Sequence, residues 1–509
     1  MAPTVLVLFE SSESRIHTSD GWVTSRTLGE EGRRLARAWT ADGLAPGDRV
    51  AVYADNGLPY LRCVAAAAAG RFVVVSVNRR YAPEEARSLV ERSGASLVIT
   101  DAAPSVFDSV VSSDRVRDIG TIIPPADIAP TEVVVLSDAT AVEPTADDPF
   151  IVFTTSGTTS RPKMVLHTQR SIAVHAGEAG DRFGYTSDDR VLVALPLCGV
   201  FGFDGLTAAL AADSTVWLPD RFESRAVADL VASEQITAMN GSDDMFHRML
   251  DTTADLSSIR VGGYGRFNTS LDGIVERAAE RGVTLTGLYG MSEVQALFAL
   301  RDPGEDVAGR ERAGGSLSSP SAAFRIVDPE TSKPLPEGSD GELQLAGPSL
   351  FAGYLAEGGE QLDGDLTAAT LVEAEGQVWF RTGDLARAED DGTFTFLTRM
   401  GDVLRLGGFL VNPTEIEAIV NELPGISATV AVALPRPGGV RAAVAVIADH
   451  EPDPAVVIAH CSERLARFKV PVAVVRVDAF PTTPSANGTK IRVAELRAIV
   501  DKALAAGSS

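Results

Sequence analysis

The stretch "FTTSGTTSRPKMVLHTQRS", Phe153 to Ser171, is the part of the chain on which the fold assignment turns. Its lead-in, "PFIVFT", is rich in β-branched and aromatic residues and reads as a strand. The strand runs into Thr155, Ser156, Gly157, Thr158, Thr159 and Ser160, then Lys163, then an apolar-periodic segment. Backbone amides in such a loop can converge on an anion, and Gly157 permits close approach. The Walker spacing G-x-x-x-x-G-K-[ST] is absent, because Lys163 follows Pro162 and no Ser or Thr comes next. By composition alone a phosphate cradle and a solvated polar loop both remain open, and the position at a strand end tilts toward the first.

Outward from this stretch the chain alternates short β-rich runs with helical patterns. "DRVAVYA", "FVVVSV" and "SLVIT" are separated by "LPYLRCVAAAAAG" and "PEEARSLVERSG"; later "DRVLVALPL", "STVWLP" and "ITAMNG" are separated by "LTAALAA" and "RAVADLVASEQ". Such alternation predicts α/β layers with a largely parallel sheet. From about Pro320 shorter strands take over, and "EDDGTF" predicts a hairpin turn with positive φ at Asp391 and Gly392. The expected organisation is an α/β fold with a large N-terminal domain, 1–398, carrying a β-rich subdomain at about 320–398. A hinge at 399–402 and a small mobile α+β C-terminal domain, 403–509, complete it.

At 509 residues, 45% hydrophobic and 22% charged, the chain has ample material for several buried cores. A formal net charge of -24 argues against nucleic-acid or anionic-membrane partners, so a polyanionic ligand needs a local positive pocket. Lysine is confined to Lys163, Lys333, Lys469, Lys490 and Lys502. Cys63, Cys198 and Cys461 fit neither a disulfide framework nor a zinc site. "MAPTVLVLFESSES" lacks a basic n-region, and no apolar run approaches a membrane span, which predicts a cytoplasmic protein.

Three further stretches carry side chains suited to nucleotide chemistry. "LTGLYGMSEVQAL" brings Tyr289, Gly290, Ser292 and Glu293 to a turn, where Tyr289 can stack on a flat ring and Glu293 can bind Mg²⁺. "VWFRTGDLARAEDDG" and "LTRMGDVLRLGGFLVNPTEIE" place Asp384 in a turn able to accept ribose hydroxyls, with Arg399 able to reinforce it. "FPTTPSANGTKIRVAEL" holds Lys490 after Gly488 and before a final helix. Taken singly, each also fits an ordinary structural turn or a solvated charge.

The four stretches in this order resemble the adenylate-forming superfamily: acyl-CoA synthetases, peptide-synthetase adenylation domains and luciferase-like enzymes. The resemblance covers nearly the whole chain. It implies that Thr155, Ser156, Gly157, Thr158, Thr159 and Lys163 close on the β- and γ-phosphates of ATP. It implies that Tyr289, with Gly290, stacks near adenine, that Ser292 faces the α-phosphate or substrate carboxylate, and that Glu293 holds Mg²⁺. "VGGYGRFN" matches the adenine-side loop, so Gly262, Gly263, Tyr264 and Gly265 are expected to line the base. Asp384 and Arg399 take the ribose, Lys490 reaches the attacking oxygen, and the face around Gly407 and Gly408 admits the acceptor after the C-terminal domain turns.

Two departures from the pattern stand out. Gly401 occupies the place of the usual charged hinge residue. In "LPLCGVFGF", Gly199 replaces a histidine and Cys198 an aromatic residue beside the expected acid pocket, which also includes Phe201. "AMNGSDDMFHRM" lacks a proline common in relatives, so Asn240, Ser242, Asp243 and Arg266 form either a polar pocket or a solvated loop. The resemblance thus implies an ATP- and Mg²⁺-dependent ligase that adenylates a small-molecule acid and passes it to coenzyme A. A diazotase-like enzyme that activates nitrite, another oxyanion, for transfer to an arylamine is the alternative, with acyl transfer to a carrier protein as the third.

Overall fold

The structure is a computed structural model and describes residues 3–122, 143–155, 162–267, 273–400, 403–406, 409–436, 439–465, 467, 469–485 and 488–506. Contacts divide the chain into two compact units. One comprises Met1–Arg266, Gly273–Phe324 and Gln344–Arg381; the other is chiefly Arg325–Leu343 and Thr382–Ser509.

The first unit contains two layered sheets. In one, Pro149–Thr154, Val73–Val77, Arg49–Tyr53, Leu97–Thr100 and Val116–Asp118 lie side by side in parallel. Val73–Val77 reads VVVSV and is buried at every position, as expected of a strand covered on both faces. Met164–Thr168 adds to Pro149–Thr154 antiparallel, and Gly353–Tyr354 adds to Met164–Thr168 antiparallel.

In the other sheet, Leu285–Met291, Val261–Gly265, Ala238–Ser242, Arg190–Leu192, Thr215–Trp217 and Arg15–Thr18 are parallel in that order. Gln295–Leu300 and then Gly314–Leu317 extend it antiparallel beyond Leu285–Met291. Helices Gln169–Phe183 and Val200–Ala211 pack against each other so closely that a Cβ on Gly180 would stand 3.0 Å from the Ala208 carbonyl oxygen. Val200 through Leu210 are all buried, the pattern of a helix with no solvated face. Asp204 lies among them.

In the second unit, the hairpin of Gln377–Ala388 and Phe394–Arg399 sets Asp384 opposite Arg399. Its turn departs from expectation. Gly392 has φ +80°, but Asp391 does not adopt a left-handed conformation. The Asp391 carboxylate instead accepts hydrogen bonds from the Thr393 amide (2.9 Å) and hydroxyl (2.7 Å), an Asx-type closure of the turn.

Further along, Ile426–Arg436, Gly439–Ala448 and Val474–Arg476 form a three-stranded sheet. Strand alternation sends Ala431, Ala442 and Val444 to one core with Ile416, Val420 and Val457, while Val430, Ala443 and Ala445 meet Leu496 and Val500 on the other face. This is the α+β arrangement expected of the C-terminal part. No helix among the described residues is long and apolar enough to cross a membrane.

Candidate active site

The hydroxyl-rich stretch joins two antiparallel strands, with Thr154 opposite Met164. It is therefore a hairpin connection, unlike the strand-to-helix loop of a Walker site, and the next helix begins only at Gln169. The hairpin stem is pinned at several points. Thr155 N–H donates to the Lys163 carbonyl (3.1 Å), the Thr154 and Tyr81 hydroxyls stand 3.1 Å apart, and Arg92 donates to the Pro162 carbonyl (3.0 Å). Ser156, Gly157, Thr158 and Thr159 lie outside the described residues.

Lys163, at the far end of the stretch, is connected to Glu293 through Tyr354, a residue that no motif in the chain singles out. Its Nζ sits 4.7 Å from the centre of the Tyr354 ring, and the Tyr354 hydroxyl donates to Glu293 Oε1 at 2.8 Å. Burial, and then the Glu293 charge, push the Tyr354 phenol up, so it stays a hydrogen-bond donor at all physiological pH. The ring thus offers its face to the ammonium and its hydroxyl to the carboxylate. Glu293 is only 6% exposed, and its carbonyl accepts the Phe351 N–H at 2.9 Å.

Ser292 and Glu293 occupy the turn between Leu285–Met291 and Gln295–Leu300, whereas Tyr289 and Gly290, expected at the turn, still belong to the first strand. A Cβ at Gly290 would stand 2.1 Å from the Ala296 carbonyl oxygen, so only glycine fits there. His167 Nε2 lies 2.7 Å from the Ser292 carbonyl oxygen and Nδ1 lies 3.2 Å from the Ser171 hydroxyl. Burial pushes the His167 pKa down to about 4, so the ring is neutral and its Nε2–H donates to Ser292. Gln295 adopts φ +72°, and its side-chain amide donates to the carbonyls of Ser171 (2.7 Å) and Ser349 (3.3 Å). A non-glycine residue held in this conformation marks a turn whose shape is enforced by its surroundings.

The segment expected to form an adenine-side loop, Gly262 to Gly265, is a buried strand, Val261–Gly265. Gly263 N–H donates to Asn240 Oδ1 (3.1 Å), and a Cβ there would meet that oxygen at 2.6 Å and Phe183 at 2.7 Å. The Tyr264 hydroxyl donates to the Glu311 carbonyl (2.9 Å). The stretch 240–243 is not a solvated loop. Asn240 and Ser242 are buried strand residues, Asn240 Nδ2 lies 3.3 Å from the Tyr185 hydroxyl, and Ser242 caps the helix Asp243–Leu250. Arg266 is exposed.

Gly199 is the N-cap of Val200–Ala211, and a Cβ there would find the Pro196 carbonyl oxygen at 3.6 Å, an ordinary contact. Packing therefore does not exclude a side chain at the position of the missing histidine. Burial pushes the Cys198 thiol up to about 11, which makes it a small apolar filler rather than a nucleophile. Phe201 and Asn240 line a small void with Val191, Val193, Leu195 and Gly205, of about 10 Å³, room for little more than one water molecule. Asn240 is the one polar side chain along it.

In the second unit Asp384 is 1% exposed and faces Arg399, with Nη1 to Oδ1 at 3.0 Å; the Arg399 side chain is 51% exposed. Asp384 N–H donates to Thr382 Oγ1 (3.0 Å), whose hydroxyl donates to the Leu343 carbonyl (2.7 Å). The expected ribose pair is thus brought together by strand register. Lys490 lies on Gly488–Ile491 opposite Thr483, with its side chain outside the described residues, as are Gly401, Gly407 and Gly408.

Among the described residues no group of three or more His, Cys, Asp or Glu could hold a metal. Mg²⁺ needs no such group, since it commonly binds one or two carboxylates and completes its shell with phosphate oxygens and water. Glu293, a hard-oxygen donor at the end of the Lys163 and Tyr354 series, suits that role.

Comparison with known proteins bears on the same elements. The AMP-binding enzyme model matches residues 9–355, and the AMP-binding enzyme C-terminal domain model matches residues 415–487. A feruloyl-CoA synthase of an Amycolatopsis species is 30% identical over 480 residues, covering 91% of this chain and 92% of its own. An indoleacetate–CoA ligase of Aromatoleum aromaticum is 30% identical over 490 residues, covering 92% and 91%. The crystal structure of ATP-bound MatB from Rhodopseudomonas palustris superposes with a TM-score of 0.82 at 23% identity over 97% of this chain and 98% of that one, a likeness of fold. The chain belongs to the AMP-binding enzymes, the adenylate-forming superfamily, as an AMP-forming ligase of the acyl-CoA synthetase type.

Proposed function

We propose that this enzyme adenylates a carboxylic acid with ATP, releasing pyrophosphate, and transfers the acyl group to coenzyme A. The observation that carries the reading is the Lys163, Tyr354 and Glu293 series: a cation and a carboxylate, distant in sequence, converge beside the hydroxyl-rich hairpin. The names of relatives that make CoA thioesters support the acceptor.

In this reading the substrate carboxylate attacks the α-phosphorus and pyrophosphate leaves, so catalysis is positioning and charge neutralisation. Lys163 and the 155–159 amides would hold the β- and γ-phosphates, and Ser292 the α-phosphate or carboxylate. Mg²⁺, when bound at Glu293, would neutralise phosphate oxygens. Tyr289 would lie near adenine, with Asp384 and Arg399 on the ribose. Lys490 would meet the attacking oxygen. A hinge at 399–402 would let the 403–509 domain present Lys490 for the first step and the Gly408 face for the second.

The test is AMP release with ATP and Mg²⁺ across a panel of aromatic, aliphatic and dicarboxylic acids, with coenzyme A or an amine as acceptor. AMP formation requiring both a carboxylic acid and coenzyme A is expected. Formation with nitrite and an arylamine, and with no carboxylic acid, would overturn the reading. Lys490→Ala is expected to slow ATP–pyrophosphate exchange about 100- to 1000-fold, the loss of one ~3–4 kcal/mol transition-state contact.

A further inference from the structure

The turn that carries Glu293 rests on a strand irregularity. Between the pairs Tyr289↔Ala299 and Met291↔Gln295, the first strand advances two residues and the second advances four. The surplus falls at Ala296 to Phe298, folded against Gly290. Extra residues of this kind lose their ladder partners, and a buried N–H left without a partner costs about 1–3 kcal/mol. Here the partner comes from the buried helix behind the sheet: Asp204 Oδ2 accepts the Ala296 N–H at 2.6 Å.

Asp204 is fully buried in an otherwise apolar helix environment, a location that strongly disfavours a carboxyl group. Its nearest titratable neighbour is the equally buried His175, with Nε2 3.8 Å from Oδ2. Burial pushes Asp204 up to about 8 and His175 down to about 3, so both lean toward their neutral forms. A carboxyl placed at such a cost without a charged partner serves a local hydrogen-bonding need, and the amide at 296 is that need.

We propose that Asp204 is a positioning residue for the active-site turn: by capping the surplus amide of Ala296 it fixes the irregularity that aims Ser292 and Glu293. Its consequence for catalysis rests on the adenylation reading above. Asp204 does not touch the reacting atoms; it acts through the backbone.

Hydrogen exchange on the wild-type protein without nucleotide tests the placement directly. The Ala296 amide is expected to exchange as slowly as those in the flanking strands, and exchange at the rate of an exposed turn would overturn the proposal. Asp204→Asn keeps an acceptor of the same shape and is expected to retain protection, with pyrophosphate-exchange kcat within about threefold of wild type. Asp204→Leu is expected to speed exchange at that amide at least tenfold and to lower kcat at least tenfold with a smaller change in KM for ATP. Wild-type protection and kcat in Asp204→Leu would sink it. If that variant does not fold, the wild-type and Asp204→Asn measurements decide. A wild type that forms no AMP with any acid defeats the adenylation reading, while amide protection still judges Asp204.

Discussion

Glu293 and Asp384 are both buried carboxylates expected to serve the nucleotide, Glu293 on a turn and Asp384, expected on one, within a paired strand, and they are held in opposite ways. Asp384 takes its cation from the neighbouring strand of its own hairpin, where register alone sets Arg399 opposite. Glu293 is held by groups far away in sequence. Tyr354 is 61 residues distant, and the His167 contact to Ser292 spans 125. A site built by register tolerates loss of a neighbour, because the ladder still places the backbone. A site built by convergence loses its aim when any member goes.

Glu293→Gln should have the largest effect, lowering pyrophosphate exchange about 100-fold or more with little change in melting temperature, since the amide can still accept from Tyr354. An equally inactive but unfolded variant would turn the residue into a structural one. Tyr354→Phe should follow: it removes the hydroxyl that satisfies Glu293, costing about 1–3 kcal/mol in stability, and should lower exchange about tenfold. If Tyr354→Phe behaves as wild type, convergence is not what holds Glu293. Arg399→Gln should be milder, raising KM for ATP a few-fold, because a half-exposed ion-pair partner contributes about 1 kcal/mol or less. A loss matching that of Glu293→Gln would erase the contrast between the two regions.

The smallest effect at neutral pH belongs to His167→Gln, whose signature is acid sensitivity. The wild-type imidazole has its pKa lowered from 6.5 to about 4 on folding, so the unfolded chain binds the proton more readily between those values. Stability falls as pH drops through that window, by on the order of 3 kcal/mol from this group. His175 acts in the same direction. Asp204, with its pKa raised, acts oppositely, so the difference in melting temperature between wild type and His167→Gln isolates the one ring. That difference should shrink from pH 7 to pH 4; a constant gap would show that His167 is not buried neutral.

The contrast also explains what was legible in the chain. Alternating apolar runs announced the parallel strands, and the hairpin text placed Asp384 before Arg399, because strand period and turn chemistry are local. Gly262 to Gly265, expected from the resemblance to form a loop, are a buried strand, with Asn240 and Phe183 standing where a Gly263 side chain would go. Asp391 was given a left-handed conformation when its own side chain could close the turn instead.

The sequence by itself determined the α/β class, the hydroxyl-rich stretch and its lysine, the missing histidine at Gly199, and the order of four stretches that marks the superfamily. The tertiary structure alone decided that Tyr354 joins Lys163 to Glu293, that His167 and Gln295 hold the turn, and that Asp204 answers the surplus amide at Ala296. The reason is physical: periodicity and turn chemistry act between near neighbours along the chain. A buried hydrogen-bond partner is chosen by whichever element the fold brings within 3 Å, and that separation in space leaves no mark on sequence spacing.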